Sequence, residues 1–251
     1  MLRHKLVLLL IVLCALAGVP VHAALEKGMT VLVTGANRGI GLEFASQLKA
    51  AGYNVIGTAR KPAEAVELKA LGVRVEQLDV TDTDSVADLA AALADTPLDL
   101  VINNAGVGGQ GVNKLAKIDF EQMARTFNVN SAGPLRVTQG LQGNLAAGKG
   151  KTVVHISSIM GSIENNKGGY YSYRASKAAL NMLNKSLAAE LGKQGFVCVV
   201  MHPGWVKTRM GGEAAPVQPQ DSVAGMLKVI SGLQAADNGR FFDYQGQELP
   251  W

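Results

Sequence analysis

Seven short runs of β-branched and aliphatic residues, most of them apolar at every position instead of every second one, constrain the fold of this chain more than any other feature. A strand with one wet face alternates in polarity. A strand apolar throughout is covered on both faces, as in a parallel sheet flanked by helices. The runs predict strands at 30–34, 54–58, 74–78, 98–103, 152–157, 196–201 and 240–244. Amphipathic stretches at 40–51, 63–71, 85–94, 120–147, 171–192 and 222–233 lie between them and predict helices. Thr81, Asp82, Thr83 and Asp84 supply N-cap chemistry for the third of these. Such alternation implies right-handed crossovers and an α/β architecture, a doubly wound parallel sheet of about seven strands with helices on both faces. A chain of 251 residues, 48% hydrophobic and 18% charged, suffices for one such domain and is short for two. The segment 211–220, with two prolines and two glycines, reads as a surface loop.

Residues 1–23 fall outside this pattern. Arg3, His4 and Lys5 precede an apolar run over 6–18, followed by Pro20 and the small-residue pattern Val21-His22-Ala23. That is the layout of a secretory signal peptide with cleavage after Ala23, leaving 24–251 as the folded domain. The apolar run, about 13 residues, is short of the ~20 that span a bilayer as a helix. An uncleaved membrane anchor is the weaker alternative. A translation start at Met29 is another, and would leave the protein cytoplasmic. The leader's cations favour the cytoplasmic side, which sends the body outwards to the periplasm or beyond.

The formal net charge of +4 includes no basic block or aromatic-interleaved stripe, so nucleic-acid binding has no support. Cys14 lies in the leader and Cys198 in an apolar strand, so the body of the chain cannot make an internal disulfide. His155 and His202 stand without a Cys/His/Asp/Glu cluster at ligand spacing and read as core histidines, with no metal expected.

Where the first strand turns into the first helix the chain reads Thr34-Gly35-Ala36-Asn37-Arg38-Gly39-Ile40-Gly41. Glycines there permit a tight turn and let the backbone approach a pyrophosphate at the helix N-terminus, the device of a Rossmann-like dinucleotide site. The cofactor residues expected on it are Gly35, Asn37, Arg38, Gly39, Ile40 and Gly41. NAD binders place a carboxylate near the end of the second strand to bond the ribose 2′-hydroxyl. Here that stretch reads Gly57-Thr58-Ala59-Arg60-Lys61, with no carboxylate before Glu64. Arg60, with Arg38, can grip a 2′-phosphate bidentately, which points to NADP(H). The competing reading makes Arg60 and Lys61 solvated loop cations. Asp79, followed by Val80, comes after the third strand and either accepts from the adenine amino group or caps the next helix.

Tyr173 and Lys177 are four residues apart on an expected helix and so share a face. An ammonium ~4.5 Å from the phenol at an effective dielectric of ~20 would favour tyrosinate by about 3–4 kcal/mol. That corresponds to about two to three pKa units, enough to bring the phenol near the working range. Tyr170 and Tyr171 have no lysine four positions on. Upstream, His155-Ile156-Ser157-Ser158 delivers a hydroxyl pair to the carboxyl end of the sheet, where doubly wound folds bind ligands.

The glycine loop, Asn103-Asn104-Ala105-Gly106, the serine pair, the Tyr-x-x-x-Lys pair and Pro203-Gly204 occur in the order of the short-chain dehydrogenase/reductases. The chain resembles that family over essentially its whole length after Met29. Segments 158–163, 171–177 and 246–251 look like the carbonyl reductases grouped with sniffer and C-factor proteins. The resemblance implies hydride transfer from NADPH to an aldehyde, ketone or quinone. It implies Tyr173 as general acid/base and Lys177 as the residue that lowers its pKa and bonds the nicotinamide ribose. Ser158 would bond the substrate oxygen, with Ser157 structural. Asn130, favoured over Asn128, would hold a relay water. Asn104, Ala105 and Gly106 would wall the adenosine side. Pro203, Gly204, Val206 and Thr208 would complete the cofactor site, Thr208 bonding the carboxamide and so setting which ring face delivers hydride. A stretch over 162–169, longer than in many relatives, is read as a specificity loop, and segments 107–114 and 210–220 as its neighbours around the substrate. Trp205 and Trp251 are candidates for an apolar substrate wall, whereas Phe241 and Phe242 read as core. The family commonly pairs through the 120–147 and 171–192 helices, although monomers occur among carbonyl reductases, so the resemblance leaves both a homodimer and a monomer open. C-factor relatives are associated with signalling, which leaves an alternative in which the chain binds NADP(H) as a signalling or redox-sensing protein with little turnover.

Overall fold

The computed structural model describes residues 25–109 and 114–251, so the expected leader and positions 110–113 of the substrate wall lie outside the described residues. Seven parallel strands form one sheet: β1 (Thr30–Val33), β2 (Asn54–Ala59), β3 (Arg74–Gln77), β4 (Leu100–Asn103), β5 (Thr152–Ile156), β6 (Val197–His202) and β7 (Phe241–Asp243). Their order is β3-β2-β1-β4-β5-β6-β7, so the chain reverses direction across the sheet between β1 and β4. The parallel register carries Val31, Leu32 and Val33 beside Leu100, Val101 and Ile102. All six of these side chains are fully buried, which is why the sequence shows apolar runs without alternation.

Among the described residues eight α-helices cover the two faces: α1 (Gly39–Ala50), α2 (Val66–Ala70), α3 (Thr83–Ala92), α4 (Phe120–Phe127), α5 (Gly133–Gly140), α6 (Gln142–Ala147), α7 (Tyr171–Leu191) and α8 (Pro219–Ser231). One layer buries Phe44 and Leu48 of α1 with Val223, Met226 and Ile230 of α8 against the sheet. The other buries Val86 and Leu89 of α3 with Val137 and Leu191. Asp82 caps α3 as its position suggested, its carboxylate accepting from Asp84 N at 3.0 Å.

The stretch expected as one helix over 120–147 is broken. Between α4 and α5 lies a π-helical segment, Asn128–Ala132, and α6 follows as a separate short helix. A π step widens the turn by one residue and turns side chains that a regular helix would aim elsewhere. Here it buries Asn130 and Ser131 against α7.

Candidate active site

The switch of strand order leaves a crevice between the loops after β1 and β4, the place where doubly wound folds bind ligands. Gly35 and Gly39 adopt φ of +64° and +55°, which favour glycine. Thr34 ties the two loops together: its hydroxyl accepts from Asn104 N and Ala105 N, each at 3.0 Å. The Asn104 amide donates back to Thr34 O at 2.9 Å and Gly35 O at 3.2 Å. A side chain on Gly41 would collide with Gly35 O and the Asn104 amide. Asn104 therefore braces the glycine turn, while Ala105 packs close on Gly35. The N-cap of α1, Arg38, makes no side-chain cap, and the first turn holds no acid. An uncapped helix start beneath two left-handed glycines fits the phosphates of a dinucleotide.

At the end of β2, Lys61 pairs with Glu64 at 2.9 Å, so the first carboxylate after the strand is engaged with the loop's own lysine. Arg60 has no ion pair among the described residues. Burial first, then the charges of Arg209 and Arg60, holds the Arg38 pKa below its ordinary value, so these three cations share one neighbourhood. Arg209 was not singled out in the sequence, because a lone arginine in a loop carries no periodic signal of what it approaches. Asp79 accepts from Thr81 N at 2.9 Å and Thr81 Oγ1 at 2.7 Å, closing the turn before α3, while Ser85 Oγ accepts from Asp79 N at 2.9 Å. Burial raises the Asp79 pKa, but the Thr81 bonds and the Arg60 and Arg136 charges outweigh it and leave it lowered. Val80 O accepts from Arg136.

The proposed chemistry converges at the carboxyl end of β5. Ser158 lies near enough to the Tyr173 phenol to favour its ionised form, and its Oγ accepts from Met160 N at 3.1 Å. Lys177, only 5% exposed, donates to Ile156 O at 2.8 Å and stands 5.8 Å from the Tyr173 ring centroid. A Cβ on Gly161 would fall 2.8 Å from the Lys177 carbonyl carbon, so the bare glycine lets α7 close onto the Ser158 segment. Ser157 bonds Asn181 at 2.7 Å and faces the packing, in keeping with a structural role.

Asn130 is fully buried; its amide oxygen accepts from Val107 N at 2.9 Å, and its nitrogen donates to Val107 O at 2.9 Å and Ser176 Oγ at 3.1 Å. A Cβ placed on Gly106 would sit 3.3 Å from Asn130 Oδ1 and 3.8 Å from Lys177 Nζ, so these two groups border one glycine-lined corner. Asn128 turns away, accepting from Arg136 at 3.1 Å. Only Asn130 joins the lysine.

One expectation reverses. The Tyr173 pKa is raised, because the cost of burying a phenolate exceeds the help of Ser158. Burial lowers Lys177 instead, to about 8. Lys177, engaged with Ile156 O, is not among the causes of the Tyr173 shift.

Beyond Pro203, Gly204 takes φ +85° and Val206 forms a parallel bridge to Val217. Thr208 lies over the glycine loop, its methyl 3.6 Å from a Cβ built on Gly39. Phe241 and Phe242 are core; Trp205 is exposed, and Trp251 packs its ring 5.5 Å from that of Phe241. Ser162 Oγ and Glu164 N both donate to Trp251 O, at 3.3 and 3.0 Å, so Trp251 braces the 162–169 loop. Burial, then the Lys177 charge, drives the His155 pKa down to about 3, so this histidine is neutral in the core. Among the described residues no group of three His, Cys, Asp or Glu could hold a metal ion.

The family model described as short chain dehydrogenase matches residues 29–218. The C-signal of Myxococcus xanthus is 52% identical over 156 residues, which are 62% of this chain and 93% of that protein. Among solved structures, carbonyl reductase Sniffer of D. melanogaster is similar with a TM-score of 0.85 and 31% identity, covering 90% of this chain and 100% of that one. The NADPH-bound carbonyl reductase from chicken fatty liver is similar with a TM-score of 0.85 and 35% identity, covering 92% of this chain and 97% of that one.

Proposed function

The chain belongs to the short-chain dehydrogenase family, and from that premise we propose that it is an NADPH-dependent reductase of aldehyde, ketone or quinone carbonyls. The observation that carries the proposal is the meeting of Ser158, Tyr173, Lys177 and Asn130 beside the phosphate-binding crevice. The nicotinamide, when bound, supplies the hydride that reduces the carbonyl carbon. The protein's own residues handle the oxygen. Ser158 Oγ donates a hydrogen bond to it, and Tyr173 OH delivers the proton that balances the hydride. A raised phenol pKa keeps that proton on Tyr173 at neutral pH, as an acid requires. Lys177 and Asn130 border the corner through which the phenol is reprotonated. The choice of NADPH rests on Arg38 and Arg60 and on the pairing of Glu64 with Lys61.

A second reading has one observation in its favour, the 52% identity to C-signal. In it the same crevice holds NADP(H) for signalling with little turnover. Absorbance of NADPH, and separately NADH, followed against a panel of carbonyls separates the two. Consumption of NADPH well above NADH supports the reductase. Tight NADPH binding with no turnover on a broad panel would favour the signalling reading, and equal use of both nucleotides would remove the cofactor preference.

The proposal includes a homodimer formed through the outer faces of α4, the π segment, α5 and α7. An apolar hollow of about 520 Å³, with Phe127, Leu135, Ala179, Met182 and Leu183 among its lining residues, supports it. None of the Ser158, Tyr173 or Lys177 side chains borders that hollow.

A further inference from the structure

We infer that Arg209 is a third phosphate ligand of the cofactor site, a specificity-determining residue that reaches the dinucleotide from the loop lying over the glycine turn. The inference rests on the NADP(H) reading above and extends it to a residue on a different element. Its two neighbours fix its place. Thr208 packs toward Gly39, its Cγ2 3.6 Å from a Cβ built there, and Met210 Cγ comes within 3.2 Å of a Cβ built on Gly108. Arg209 is thus carried between the start of α1 at Gly39 and the loop after β4 at Gly108.

The segment that carries it is tied down. Gly212 N donates to Thr208 O at 2.8 Å, Gly211 N to Thr208 Oγ1 at 3.2 Å, and Trp205 Nε1 to Gly211 O at 2.8 Å. Lys207, the other cation of this stretch, is neutralised by Glu213 at 2.8 Å. Among the described residues, the guanidiniums of Arg38, Arg60 and Arg209 form no ion pair and no hydrogen bond. The lowered pKa of Arg38, after partial burial, comes from Arg209 and then Arg60, which places each of these two cations within electrostatic range of Arg38.

Three unpaired cations brought together repel one another, an arrangement that an anion of more than one charge relieves. The start of α1 at Arg38 has no side-chain cap, which leaves its first backbone N–H groups open to an anion. Phosphate matches this set, because guanidinium bonds its oxygens bidentately. Two phosphate groups of one cofactor could serve, the 2′-phosphate and the pyrophosphate.

The test is titration of the full chain and of Arg209→Ala, Arg38→Ala and Arg60→Ala with NADPH and with NADH. Arg209 is exposed, so its truncation leaves the core untouched. Loss of a charge-assisted bond predicts an NADPH Kd raised about 10-fold or more in Arg209→Ala. A loss confined to NADPH assigns the contact to the 2′-phosphate; a matching loss on NADH assigns it to the pyrophosphate. If Arg209→Ala leaves both constants within about twofold while Arg38→Ala or Arg60→Ala weakens NADPH, the inference fails and the cofactor reading stands. If none of the three weakens NADPH, the cofactor reading fails with it.

Discussion

Lys177 carries its ammonium into a corner closed by Gly106, Asn130 and Ile156 O, where burial brings its pKa down to about 8. The lysine is therefore charged at neutral pH and loses its proton within reach of a pH titration. If it feeds protons to Tyr173, kcat/KM for carbonyl reduction stays level up to about pH 8 and falls above it. The sign follows from the direction of reaction, since reduction consumes a proton and a neutral lysine has one fewer to pass on. Arginine at this position stays charged, so in Lys177→Arg the residual activity should lose its alkaline limb. A limb unchanged in that variant assigns the titration to another group. The sequence marked Lys177 by its spacing from Tyr173 and also suggested that it acts on the phenol's pKa. The structure reverses that direction, because burial acts on both groups and spacing carries no information about burial.

At the scale of elements, the proposed catalysis depends on how closely α7 approaches the end of β5, and Gly161 permits that approach. A methyl there would lie 2.8 Å from the Lys177 carbonyl carbon and 2.9 Å from its Cβ. Gly161→Ala should destabilise the fold by about 1–3 kcal/mol through overpacking. It should also lower kcat by on the order of 100-fold with NADPH affinity nearly intact, because a displacement of about 1 Å separates Lys177 and Tyr173 from Ser158. Normal kcat in a soluble Gly161→Ala protein would show that the approach is not critical. The strands and most helices were legible because both faces of the sheet are covered, which writes continuous apolar runs into β1, β4, β5 and β6. The break in the 120–147 helix was legible only in part. Gly133-Pro134 marks an interruption, since Pro134 has no N–H to give Asn130 O, but the side chains that the π segment buries find distant partners, Val107 and Ser176 for Asn130 and the Ser176 carbonyl for Ser131. Arg209 was missed for a related reason: its neighbour Arg38 lies far away in sequence.

For the whole molecule, the outer faces of α4, α5 and α7 leave Met182 67% exposed at an apolar hollow. Covering that surface with a second copy buries apolar area that a monomer leaves in water. A charge in its middle, Met182→Glu, should convert the proposed dimer to a monomer in light scattering after gel filtration, because burying an unpaired carboxylate costs several kcal/mol. A mass unchanged from that of the unmodified chain would place the contact elsewhere. Fold, glycine loop and candidate catalytic set converge on the proposed carbonyl reduction, and removal of a single oxygen atom tests it most directly. Tyr173→Phe should bind NADPH as the unmodified chain does, since the hydroxyl it lacks is assigned to the substrate oxygen, and should show no carbonyl-dependent NADPH oxidation. Turnover near that of the unmodified chain in Tyr173→Phe would contradict the account, for the proton would then come from a group other than Tyr173.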